Sequence, residues 1–92
     1  MPNLKRKRGP VEQVMVDTAQ ELKRTCKRMQ QDTKSTRAAS YAKDCVHGAN
    51  DAIAALDRFG ATYAGASYAM RALIDAELTY VDSLYLDDGV ER

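Results

Sequence analysis

Apolar and small residues recur at alternating steps of four and three along most of this 92-residue chain. One series runs Met15, Ala19, Leu22, Cys26, Met29, Thr33, Thr36, Ser40. It resumes as Ala49, Ala52, Leu56, Phe59, Tyr63, Ala66, Met70, Leu73, Glu77, Tyr80, Leu84. Such a rhythm lines up one side of an α-helix, and its regularity is that of a coiled coil. A second set, Ile53, Tyr63, Met70, Ile74, Leu78, Val81 and Tyr85, widens the apolar face of the later segment. A broad face suits a globular bundle better than a two-stranded seam. No alternating run of strand type persists beside these ladders, so the predicted class is all-α.

Between the ladders stands His47-Gly48-Ala49-Asn50-Asp51. Gly48 suits the left-handed residue that ends a helix, and Asn50 or Asp51 suits the cap of the next. The pattern therefore predicts a long antiparallel helical hairpin of two helices, from about residue 10 to 47 and from about 51 to 86. This hairpin is expected to assemble into a helical bundle or a larger oligomer. Pro10 fits a first helical turn, where a missing N–H costs nothing. The first ladder weakens along its length, and Thr33-Lys34-Ser35-Thr36-Arg37 contains mediocre helix formers. One continuous helix is expected, with the stretch 33–40 as the place where a kink or short break would fall. Residues 1–9 read as a disordered basic arm, residues 10–92 as a single hairpin domain, and the last six residues as a frayed end.

Charge adds polarity to this outline. Residues 1–47 carry eleven Lys/Arg against five Asp/Glu, and residues 48–92 carry three against eight, although the whole chain is only +1. The arm holds Lys5, Arg6, Lys7 and Arg8 in succession. Four adjacent cations can meet phosphates and release counterions, can serve as a nuclear import signal, or can simply be solvated. A cationic stripe follows on the first helix: Lys23, Arg24, Lys27 and Arg28, then Lys34 and Arg37. It reads either as a nucleic-acid face or as a salt-bridged surface paired with the acidic second helix. Tyr41 is the first aromatic in the chain. Stacking on single-stranded bases is thus not expected near these cations, and backbone contact without sequence reading is the better form of the idea.

Small residues four apart, Gly60 and Ala64, then Ala61, Gly65 and Ala69, suggest close helix packing within the chain or between copies. Tyr63, Tyr68, Tyr80 and Tyr85, with Phe59, suit either an interface or the edge of a core. A lone hairpin would leave the broad second face wet, so Phe59, Tyr63, Met70, Ile74, Leu78 and Val81 are the expected oligomer contacts.

Chemistry is sparse by comparison. His47 is the only histidine and is expected to cap a helix end. With two distant cysteines it does not form a closed metal site, and no paired carboxylates or glycine-rich phosphate loop appear. No enzyme activity, cofactor or metal is expected. On a continuous first helix Cys26 and Cys45 would lie roughly 28 Å apart, whereas a disulfide needs Cα atoms within about 7 Å. They are expected to be unpaired, small and buried.

With no apolar leader and no spanning stretch, the chain is expected to be soluble and made in a reducing intracellular compartment. The nucleus or a virion would follow if the arm is an import or packaging signal. Its shape is similar to small helical-hairpin proteins that oligomerise, minor virion and nucleoid proteins among them, and shape alone assigns no function. The expected role is a small non-enzymatic, self-associating structural protein whose arm and first helix contact DNA, RNA or another anionic surface. The alternative is an adaptor, scaffold component or inhibitor that meets an acidic protein surface and no nucleic acid.

Overall fold

The computed structural model describes residues 8–88, and within them the chain forms three helices and no strand. They are α1 (Pro10–Asp32), α2 (Thr36–Phe59) and α3 (Tyr63–Asp87). The all-α class holds, but the two-helix hairpin does not. One reversal falls at residues 33–35, inside the stretch expected to weaken. Thr33 closes α1 through its N–H to the Met29 carbonyl at 3.0 Å. Ser35 starts α2, its hydroxyl accepting the Ala38 N–H at 3.1 Å. The Ser35 N–H in turn donates to Thr33 Oγ1 at 3.1 Å. Short hydroxyl side chains thus satisfy backbone groups that a continuous helix would have paired, which is why a Thr/Ser cluster breaks here.

The second reversal is not at Gly48–Asn50 but at residues 60–62. Gly60 has φ 72° and ψ −171°, a region open essentially to glycine alone. Its N–H closes α2 on the Leu56 carbonyl at 2.8 Å. Thr62 then caps α3, accepting the Gly65 N–H at 3.1 Å and donating to the Phe59 carbonyl at 3.2 Å. A Cβ at Gly65 would collide with the Gly60 carbonyl oxygen, so the turn needs both glycines. Gly60 and Ala61 therefore do not belong to a mid-helix strip of small residues; Gly65 and Ala69 are buried and Ala64 is exposed.

Gly48, Asn50 and Asp51 lie inside α2, and His47 is an exposed mid-helix residue rather than a cap. What Gly48 supplies is room. A Cβ there would stand 2.9 Å from the Ala76 Cβ on α3. The helical cost of an internal glycine, up to about 1 kcal/mol, is offset by this close approach.

α2 is the central element. It packs along both neighbours, while α1 barely touches α3. Its inner face is nearly all small: Ala38, Ala42, Cys45, Ala49, Ala52 and Ala55 are buried, with Leu56 as the one large member. Val16 and Ala19 from α1, and Ala69 and Leu73 from α3, join Ala52, Ala55 and Leu56 in the main cluster. A second cluster unites Cys26, Cys45 and Ala76.

The first turn also overturns the expected separation of the cysteines. It sends α2 back along α1, so Cys26 and Cys45 face each other with Cα atoms 6.2 Å apart and are bonded as a disulfide. Both are fully buried, as expected, but paired.

Two stability effects follow. The bridge closes a loop of sequence separation 19. Its loss through Cys26→Ser with Cys45→Ser should destabilise the fold by about 3 kcal/mol on chain-entropy grounds, read as a lowered melting temperature that reductant no longer changes. Gly60→Ala should cost about 1–3 kcal/mol from the forbidden backbone region alone. An unchanged melt would show that the α2–α3 turn is built otherwise.

Candidate functional site

The turn at residues 60–62 resets the phase of the apolar ladder, and this sets what α3 shows to solvent. Its inner face is Gly65, Ala69, Leu73, Ala76 and Ser83. Its outer face is a stripe of large apolar residues: Tyr63, Met70, Ile74, Leu78, Val81 and Tyr85, between 42% and 90% exposed. Steps of four and three keep these on one side of the helix, roughly opposite the buried side. The structure thus brings Tyr63, Met70, Ile74, Leu78 and Val81 together on one exposed strip. Phe59, at the end of α2, is exposed as well, with the Arg58 guanidinium 5.6 Å from its ring centre. Tyr68 and Leu84 extend the apolar surface to either side. Tyr80 instead packs against the disulfide cluster. Val11 and Val14 on α1 are also exposed and stood outside the expected sites; Val14 is out of step with the Met15–Ala19–Leu22 ladder, whereas Val11, four residues before Met15, gives no such sign.

The thinnest dimension of the molecule is 18 Å, less than two helix diameters of 10–12 Å. No second layer of the described chain covers α3. Beside the stripe lies an open groove of about 720 Å³ between α2 and α3, lined among others by Gly48, Asp51, Tyr68, Arg71 and Asp75. The missing side chain at Gly48 helps to open it. The groove holds one cation among carboxylates and a phenol, and no nucleophile paired with a base.

The basic residues are less concentrated than the halves of the sequence suggest. Lys5, Arg6 and Lys7 lie outside the described residues. Arg8 grips Asp57 on α2, Nε donating to Oδ1 at 3.1 Å and Nη2 to Oδ2 at 3.3 Å. This hydrogen bond, ahead of the nearby carboxylate charges of Asp57, Glu12 and Asp17, raises the Arg8 guanidinium above its ordinary value and keeps it charged. Helix α1 carries four cations, Lys23, Arg24, Lys27 and Arg28, but also Glu12, Asp17, Glu21 and Asp32. The cations are gathered in its second half. Lys23 is half-buried at the edge of the core, and Arg24, Lys27 and Arg28 are exposed. None of the four forms an ion pair among the described residues. Among the described residues α1 scarcely meets α3, so the acidic end of α3 does not pair with them.

Among the described residues no group of three His, Cys, Asp or Glu is placed to hold a metal ion. No described helix is long and apolar enough to cross a membrane. No protein family model, curated protein or solved structure matches this chain.

Neighbouring residues on α3 test the phase of its two faces. Leu73 is buried and Ile74 is half exposed. Leu73→Asp should unfold the chain, because it places a charge in the core. Ile74→Asp should retain the helical far-ultraviolet circular dichroism spectrum. Loss of helix in both would mean that the outer face is part of the intrachain core.

Proposed function

We propose that this chain is a small, non-enzymatic, self-associating structural protein whose basic arm and α1 cations contact nucleic acid or another anionic surface. A nucleoprotein or minor virion component is the role that fits best. The observation that carries the reading is the inversion of sizes between core and surface. The buried set is dominated by alanine, with Val16, Leu56 and Leu73 as its only large aliphatic members, while Met70, Ile74, Leu78 and Val81 lie outside. Contiguous apolar surface of this kind marks a contact with another molecule. The basic arm and the exposed cations Arg24, Lys27 and Arg28 support the anionic partner.

The second reading, a protein-interaction module with no nucleic acid partner, draws on the charge balance of α1 and on the engagement of Arg8 by Asp57. Both reduce the cations open to phosphate. The two readings separate in salt. Each phosphate neutralised on a duplex contributes about −0.9 to the slope of log K against log salt. Replacing Lys5, Arg6 and Lys7 with Gln should flatten that slope by roughly 2 to 3 units and weaken binding equally across sequences. The measurement is binding to random-sequence duplexes at several salt concentrations, with light scattering to report the assembly. A nucleic-acid-free preparation that binds neither duplex nor single strand at low salt overturns the nucleic-acid reading and favours the interaction module.

A further inference from the structure

We infer that the outer stripe of α3 is covered by α3 of a second copy, antiparallel, about a two-fold axis at Ile74. This rests on the self-association proposed above and specifies its contact. The first argument is register. With exposed Ser67 added to the apolar stripe, positions 63, 67, 70, 74, 78, 81 and 85 stand at matching intervals on either side of Ile74. In a two-fold contact each residue faces the one equally far on the other side of the axis. Tyr63 then meets the partner's Tyr85, Met70 meets the partner's Leu78, and Ser67 meets the partner's Val81, while Ile74 meets its own copy. Small Ser67 opposite Val81 and flexible Met70 opposite Leu78 keep the surfaces matched in bulk.

The second argument is charge. Residues 63–74 carry one charged side chain, Arg71, whereas residues 75–88 carry Asp75, Glu77, Asp82, Asp87 and Asp88. A parallel pair would set the acidic segments against each other. An antiparallel pair sets each against the half that holds only a cation and the positive end of a helix dipole. Among the described residues nothing covers the stripe, which stays exposed from Tyr63 to Tyr85.

Single cysteines test the register in the full chain, since Cys26 and Cys45 are buried and bonded to each other. Copper-phenanthroline, a mild oxidant, is added to Ile74→Cys, Met70→Cys, Leu78→Cys and an equal mixture of the last two. Ile74→Cys should link to covalent dimer. Met70→Cys and Leu78→Cys alone should not, because residues 70 and 78 are about 12 Å apart along a helix, beyond disulfide reach. The mixture should link in roughly half of its dimers, the statistical share for an exchanging isologous pair. Light scattering of the unmodified chain at tens of micromolar runs alongside. Self-linking of Met70→Cys with no gain in the mixture overturns the antiparallel register. A dimer that links at none of these positions overturns this contact and leaves self-association standing. A monomer overturns both.

Discussion

The structure depends on the small size of the residues that α2 turns inward. Ala38, Ala42, Ala49, Ala52 and Ala55 form a smooth surface on which α1 and α3 lie close, and Gly48 takes that approach to its limit at Ala76. Alanine gives up no side-chain entropy on burial and is the best helix former, so these positions serve the helix and its packing together. The drawback is yield. Each buried methyl contributes only about 0.8 kcal/mol, against about 1.5–3 for a fully buried large aliphatic or aromatic side chain. A core built this way is thin, and the rest of the architecture compensates. The disulfide holds α1 to α2 where the buried members of the cluster are only Cys26, Cys45 and Ala76, with Leu22 at its edge. The large apolar residues, excluded from so narrow an interior, line the outside of α3.

Much of this was legible in the residues. The helical periodicity gave the class, and the weak stretch from Thr33 gave the place of the first turn. The broad second stripe named the side chains now found exposed on α3. The second turn was hidden by coincidence. Gly60-Ala61-Thr62 separates Phe59 from Tyr63, which keep a helical step of four across the interruption, so the ladder runs on without a fault. Gly48, followed by Asn50 and Asp51, imitated a stop and a cap. Two glycines were available, and only packing decides between them. Gly48 faces Ala76 in close contact, whereas Gly60 needs a backbone conformation closed to other residues.

The disulfide is hidden by a different feature, a first ladder that reads as one helix through residues 33–35, although its signal lies in the numbering. Once the chain turns at 33–35, inward positions of α1 and α2 mirror one another about the Ser35–Thr36 bond: Cys26 with Cys45, Leu22 with Ala49, Ala19 with Ala52, Val16 with Ala55. Two cysteines that match in such a series are partners by register. About the turn at 60–62 the series is Gly48 with Ala76, Ala52 with Ala72, Ala55 with Ala69. In the α1 series Leu22 and Val16 set bulk against alanine, while the α2–α3 series sets only glycine and alanine together, with Leu56 and Leu73 as the large residues beside it. The first contact buries bulk and the second buries backbone proximity. This asymmetry is why α3 keeps its own bulk on its far side.

The division into three helices also relocates the charge. The dipole seen between halves of the sequence resolves into a cationic arm, two nearly balanced helices and an acidic end of α3. Arg8 is held at Asp57, near the end of α2 that leads into the start of α3. In the antiparallel pair proposed for α3, the two starts point in opposite directions. The two Arg8–Asp57 contacts would therefore lie toward opposite ends of that pair. On the proposed function, cations so separated would suit bridging along an extended anionic surface better than recognition of one site. That separation would arise from the same small-residue packing, which keeps bulk out of the interior and leaves it on the outer face of α3, where the proposed contact between copies would set the spacing of their charges.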